Sequence, residues 1–267
     1  MIGARTRVFA LLGDPVAHSL SPAMHNAGFS AAGLDAVYVP LRCAAGDLPG
    51  VMRTLVHDGG GGNVTLPHKA AAAAIAPGDK RVAALGVANV FASRHGELHL
   101  GNTDVGGLLS MLDAMGAPSG AWCVVGTGGS ARAVAGAAAE RGARLGVVSR
   151  DPQRAAAFQH WAAGIGVEPA MPDECQVLLN ASPLGLHEHD PLPVELGAMP
   201  VISFVADLTY RATGLTPLVE AARERGLIAA DGRDMLLAQG VAAWAYWFPG
   251  VSVPVEVMRA ALEGRMG

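Results

Sequence analysis

The segment that most restricts the fold lies near the middle of the chain. There the apolar run at 122–125 ends in Gly126-Thr127-Gly128-Gly129-Ser130-Ala131, and an Ala-rich helical pattern follows to residue 140. A strand that stops at a Gly-x-Gly-x-x-Ala turn and opens directly into a helix is the start of a nucleotide-binding βαβ unit. Each small residue has its own reason. Gly126 allows the tight turn, Gly128 lets an anion approach the backbone, and Ala131 lets the helix lie close on the strand. The first N–H groups of a helix have no intrahelical partner and carry the positive end of its dipole, so a pyrophosphate is favoured there. The same glycines would serve an ordinary Gly-rich connection; the strand–turn–helix context is what favours a nucleotide.

Predicted strands at 145–148, 177–180 and 201–207 and a helix at 152–162 continue the series. At the end of its second strand an NAD site usually places Asp or Glu, which accepts from a ribose hydroxyl. This chain places Ser149-Arg150 there, with Arg154 one helical turn on. A hydroxyl and two guanidiniums suit a 2′-phosphate instead, so NADP is the expected cofactor. Asp151 argues for NAD but stands past the strand end, where it can simply contact its own helix, and Arg154 can be a solvated helix residue.

The first half also alternates. Strands are predicted at 8–12, 37–41 and 63–66, and helices from Ser21-Pro22 to about Ala32, at 47–57 and from Pro67. Glycines 59–62 read as a hinge-like break, and Arg94-His95-Gly96 as the turn of a hairpin between 87–93 and 97–100. Helices at 217–225, 234–246 and 255–262 close the chain. Alternation of this kind implies α/β architecture with a largely parallel sheet.

Composition narrows the function classes. At 267 residues, 51% hydrophobic and only 16% charged, the chain can bury a sizeable core. A net charge of −4 with scattered arginines offers no basic stripe for nucleic acid. No apolar run reaches the length of a membrane span, and the apolar patch before Asp14-Pro15 is too short for a signal peptide. Cys43, Cys123 and Cys175 stand apart without a CxxC spacing, as expected of a reducing cytoplasm. The cluster His187-Glu188-His189-Asp190 reads as a solvated loop, and no metal is expected.

Three segments carry polar residues that structure alone would not ask for. Ser19 and Ser21 precede a helix, where two hydroxyls can donate to a carboxylate; alternatively Ser21 is only the helix cap. Asn63-Val64-Thr65-Leu66-Pro67-His68-Lys69 holds one of only two lysines among 19 Lys and Arg, the other being Lys80. Unlike Arg, a Lys can release its proton when desolvated, and so act in proton transfer. Asn102-Thr103-Asp104 offers a carboxylate that would orient such an amine across a cleft, or merely cap the next helix.

Taken in order, these segments resemble the shikimate dehydrogenase family. The resemblance rests on Gly13-Asp14-Pro15 through Ser19-Leu20-Ser21-Pro22 with His25-Asn26, the Asn63–Lys69 stretch, Asn89, Asn102-Thr103-Asp104, the glycine loop at 126–132, Asn180-Ala181-Ser182-Pro183-Leu184-Gly185, and Asp231-Gly232 with Met235-Leu236 and Gln239. It implies an N-terminal α/β substrate domain, 1–103, completed by helices from 239–267. A Rossmann-type NADP domain, 104–238, would follow, with a cleft between the two. It further implies that Lys69 and Asp104 are catalytic and that Ser19 and Ser21 bind the substrate carboxylate. Asn63, Thr65, Asn89 and Gln239 would hold ring hydroxyls, with Tyr210 also on the substrate. The cofactor would lie on Gly126, Thr127, Gly128, Gly129, Ser130, Ala131, Ser149, Arg150, Arg154, Ser182 and Gly232. The expected protein is a cytoplasmic monomer or homodimer that reduces 3-dehydroshikimate to shikimate with NADPH, in aromatic amino acid biosynthesis. Val90 and Ser182 replace the family's usual threonines, and the loop 210–216 is longer and lacks its proline. Quinate or an aminoshikimate therefore stay open as substrates. A non-catalytic NADP sensor and a folate-type dehydrogenase are the other readings; retention of both Lys69 and Asp104 argues against the first, and the paired serines against the second.

Overall fold

A computed structural model describes residues 2–187, 189–211 and 213–264. The chain divides into two compact units, Met1–Thr103 with Gln239–Gly267, and Asp104–Ala238. The first unit contains β1 (Arg7–Gly13), α1 (Ser21–Ala31), β2 (Ala36–Arg42), α2 (Leu48–His57), β3 (Gly61–Val64), α3 (Lys69–Ala73), α4 (Lys80–Leu85), β4 (Val90–Arg94) and β5 (Glu97–Gly101). The second contains α5 (Asp104–Met115), β6 (Ala121–Val125), α6 (Gly129–Arg141), β7 (Arg144–Val148), α7 (Pro152–Gly164), β8 (Val177–Asn180), β9 (Phe204–Asp207), α8 (Pro217–Glu224) and β10 (Ile228–Ala230). Helix α9 (Gly232–Trp247) begins in the second unit and ends in the first, where α10 (Val255–Glu263) follows. The α/β architecture expected from the alternation is the one found.

The first sheet runs β2-β1-β3-β4-β5, parallel across β2, β1 and β3 and antiparallel through the β4–β5 hairpin. His95 at the hairpin turn has φ 54° and Gly96 φ 82°, the left-handed pair a two-residue turn requires. One face packs Ala10, Leu12, Val64 and Phe91 on Leu48, Met52 and Val56 of α2. The other carries an aromatic cluster in which Phe9 lies 5.1–5.3 Å from Phe29, Trp247 and Phe248. Helix α1 reaches α9 and α10 closely because Gly28 has no side chain: a Cβ there would stand 2.8 Å from Trp244 and 3.1 Å from Met258.

The glycines at 59–62 are not a hinge. Gly61 and Gly62 begin β3, and a Cβ on Gly60 or Gly62 would lie 2.0 Å from the carbonyl oxygen of Val8 or Ala10 on β1. Only glycine lets these strands approach, so a run that looks like a break is strand. Other differences are smaller: Leu66 and Pro67 form a turn before the five-residue α3, whose N-cap is His68, and α4 and β10, too short for a periodic pattern, were not anticipated.

The second sheet is wholly parallel, in the order β10-β9-β8-β6-β7. The chain steps from β6 outward to β7, then returns past β6 to β8. The order therefore reverses between β6 and β8, and ligands of open α/β sheets bind at the carboxyl ends of such a pair. Among the described residues no helix is long and apolar enough to cross a membrane.

Candidate active site

At the reversal point the turn after β6 and the turn after β8 lie side by side. Gly126 has φ 105°, and a Cβ on it would stand 3.1 Å from the Ala181 carbonyl oxygen. Gly128, at φ −84° and ψ −167°, is the N-cap of α6 and gives it no side-chain cap. A Cβ on Gly128 would meet nothing within 4 Å. Ala131 is fully buried. An uncapped helix start under open space fits a dinucleotide pyrophosphate, bound by backbone N–H groups.

The β8 turn is held by its own side chains. Buried Asn180 donates from Nδ2 to the Leu184 carbonyl and to Asp207 Oδ1, each 2.9 Å. Its Oδ1 accepts from the Ser182 N–H at 3.0 Å and the Ser182 hydroxyl at 2.6 Å. Asp207 also accepts from Thr209, and burial pushes its carboxyl above the usual range. Gly232 begins α9 tight against the turn after β9: a Cβ would lie 2.5 Å from the Leu208 carbonyl oxygen. Tyr210 follows that turn; Ala212, two residues on, lies outside the described residues. Glu188 also lies outside them, while Asp190 closes its loop by accepting from Gly185 and His187 N–H at 2.9 and 3.0 Å.

After β7, Ser149 accepts from the Asp151 N–H at 3.3 Å, and Asp151 caps α7 by accepting from Gln153 at 2.9 Å and Arg154 at 3.3 Å. Asp151 is thus a helix cap, which removes the argument for NAD. Arg154 is 3.6 Å from Asp151 and largely exposed, as is Arg150.

In the first unit the polar residues singled out from sequence are largely buried and interlocked. Asn63 on β3 donates from Nδ2 to the Asn89 carbonyl at 3.1 Å. Asn89 Oδ1 accepts from the Thr103 N–H at 2.7 Å, and its Nδ2 donates to the Thr103 hydroxyl at 3.0 Å and to Gln239 Oε1 at 3.3 Å. Lys69, only 9% exposed, starts α3, and its carbonyl accepts from Ala88 N–H at 2.9 Å, beside Asn89. Thr65 is half-buried at the end of β3. Asp104, buried, directly follows Thr103 as the first residue of α5.

Ser21 is not the helix cap. Leu20 occupies that position without a side-chain bond, and Ser19 accepts from the Ser21 N–H at 3.2 Å. The serine that sequence left without a structural role therefore has one. Thr103 was missed as a member of the polar set, although it stood inside a motif quoted for Asp104.

The chain matches two family models: the shikimate dehydrogenase substrate binding domain over residues 11–91, and the shikimate 5'-dehydrogenase C-terminal domain over residues 232–263. A shikimate dehydrogenase (NADP(+)) of Rubrobacter xylanophilus is 40% identical, covering 98% of each chain. The crystal structure of a shikimate 5-dehydrogenase of Thermus thermophilus in complex with NADP(H) and shikimate is 33% identical, with a TM-score of 0.85 over 97% of this chain and 99% of that one. A ligand-free 5-ketofructose reductase of Gluconobacter is also similar, at 28% identity and a TM-score of 0.82 over 98% and 99% of the two chains. With relatives this similar over nearly their whole length, the chain belongs to the shikimate dehydrogenase family.

Proposed function

We propose that this protein interconverts 3-dehydroshikimate and shikimate, with NADP as the hydride carrier, as a step of aromatic amino acid biosynthesis. The observation that carries the reading is the interlocked set of Asn63, Asn89, Thr103 and Gln239, buried in the same unit as Lys69. So many buried hydrogen-bonding groups exceed what the sheet needs and suit a small ring bearing several hydroxyls. In this reading Ser19 and Ser21 hold the carboxylate, and Asn63, Thr65, Asn89 and Gln239 the hydroxyls, with Tyr210 also on the substrate. The glycine loop at 126–131, Ser149, Arg150, Arg154, Ser182 and Gly232 hold the cofactor. Residues 1–103 with 239–267 form the substrate domain and 104–238 the NADP domain.

NADPH, when bound, supplies the hydride. The chain's own work is to move the proton. As the carbonyl oxygen gains negative charge, Lys69 donates to it; in the oxidising direction Lys69 takes the proton back. Asp104 orients the amine and balances its charge.

A spectrophotometric panel of shikimate, quinate, an aminoshikimate and fructose (oxidised to 5-ketofructose), each with NADP and with NAD, tests the reading. Shikimate with NADP is expected to turn over fastest, and failure to oxidise shikimate overturns the assignment. Lys69→Ala should lower kcat by about 10²–10⁴-fold with NADP binding intact. Lys69→Arg should not restore it, because guanidinium keeps its proton near neutral pH. Near-normal turnover in Lys69→Ala would remove the proton relay.

A further inference from the structure

His25 and Asn26 belong to the opening motif, yet neither has a role in the proposed reaction. Both act on Tyr38. The Asn26 side chain accepts from the Tyr38 N–H and donates to its carbonyl, each at 2.8 Å, along the outer edge of the edge strand β2. The His25 ring stacks on the Tyr38 ring, with centroids 4.6 Å apart and planes 30° from parallel. His25 is fully buried, its two ring nitrogens have no partner among the described residues, and burial holds its pKa down at about 3. It is therefore a neutral, apolar plate against Tyr38, not an acid or base.

Tyr38 in turn reaches Asn63. Tyr38 is in register with Phe9, Phe9 with Gly61, and Leu11 with Asn63. With side chains alternating along each strand, Tyr38, Phe9, Gly61 and Asn63 share one face of the sheet. Gly61 projects nothing there, and the Trp247 ring lies where its Cβ would come within 3.2 Å. Across this face the Tyr38 hydroxyl meets Asn63 Oδ1 at 2.8 Å.

The chemistry of the partners fixes the orientation of the Asn63 amide. The Asn89 carbonyl can only accept, so the Asn63 atom 3.1 Å from it must be Nδ2. Oδ1 then faces Tyr38, whose hydroxyl must donate. Asn63 is left with one N–H and one lone pair unpartnered among the described residues, and a substrate hydroxyl, which both accepts and donates, matches that pair.

We infer that Tyr38, clamped by His25 and Asn26, is a positioning residue that sets the Asn63 amide for a ring hydroxyl of the substrate. The inference rests on the proposed substrate class. Helix α1 would then serve substrate binding twice: through the serines at its start and, one turn later, through Tyr38 to Asn63.

The test is steady-state kinetics of Tyr38→Phe, Asn63→Ala and the double variant, with shikimate and NADP varied in turn. Tyr38→Phe should raise KM for shikimate about three- to tenfold, the loss of one neutral hydrogen bond. KM for NADP should be unchanged and kcat should move less than KM. The double variant should lose no more than Asn63→Ala alone, because the hydroxyl acts only through that amide. Asn26→Ala, which keeps both rings and the hydroxyl, should shift KM for shikimate the same way by a smaller factor, and decides the matter if Tyr38→Phe does not accumulate. An unchanged KM for shikimate in whichever of these variants is measured, or fully additive losses in the double variant, overturns the inference. Wild-type protein inactive on shikimate would instead overturn the substrate assignment.

Discussion

Gly60 and Gly62 in the first unit resemble Gly126 and Gly128 in the second: each pair stands two residues apart in a Gly-rich run beside a strand. The space around them differs. A Cβ on Gly60 or Gly62 would lie 2.0 Å from a carbonyl oxygen of β1, so the chain's own backbone excludes it. Gly126 is likewise required by the chain, through its φ of 105°. Gly128 is not: its φ of −84° is open to any residue, and no protein atom lies within 4 Å of a Cβ placed there. Neither backbone strain nor packing demands this glycine, and the open space above the uncapped start of α6 suits the proposed pyrophosphate contact. Gly60, Gly62 and Gly126 are thus required by the fold, whereas Gly128 is required only by the proposed cofactor contact.

The largest effect expected from this contrast is on stability. Gly62→Ala must push β1 and β3 apart, since backbone cannot yield as a side chain can. Overpacking of this severity costs about 3 kcal/mol or more, which lowers Tm by about 6–12 °C in a chain of this size. Thermal unfolding of the variant checks it; a Tm within a degree or two of wild type would mean that β3 shifts freely and that the glycine run is the hinge its sequence suggested.

Gly128→Ala is the counterpart. Without ligand its Tm should stay near wild type, because the methyl meets nothing and φ is allowed. NADP affinity should fall about ten- to a hundredfold, because the methyl occupies the space through which a pyrophosphate approaches the N–H groups of α6. Calorimetric titration and a melting curve on one preparation check both halves. Loss of stability without loss of affinity would break the distinction between the two glycine pairs.

How far these features were legible depends on the range of the interactions. The βαβ start at 122–140 and the hairpin turn at His95-Gly96 follow from local spacing and residue choice, and were readable. The β3 glycines were misread because the reason for them is the backbone of β1, some fifty residues earlier. Tyr38 was read only as part of a strand, since its bond to Asn63 spans 25 residues and passes over the intervening strand β1. Ser21 could be read as the helix cap, whereas Leu20 takes that position, because helix start depends on φ and ψ there, which no composition rule specifies. Side chains that act through other side chains have no local signature.

The smallest effect concerns the exposed end of the proposed cofactor site. Gly128 would act through fixed backbone, whereas Arg150 and Arg154 project into solvent. Arg154 already has Asp151 as an ion-pair partner at 3.6 Å, which leaves Arg150 as the freer of the two cations for a 2′-phosphate. A charge-assisted bond to phosphate is worth about 1.5–3 kcal/mol, and solvent exposure places this one at the low end. Arg150→Ala should therefore lower kcat/KM for NADP about tenfold and leave NAD nearly unchanged. Because the contact is screened, the wild-type preference for NADP over NAD should also narrow as salt is raised. Equal losses for both cofactors, or a preference indifferent to salt, would move the source of NADP selectivity from Arg150 to the buried part of the site.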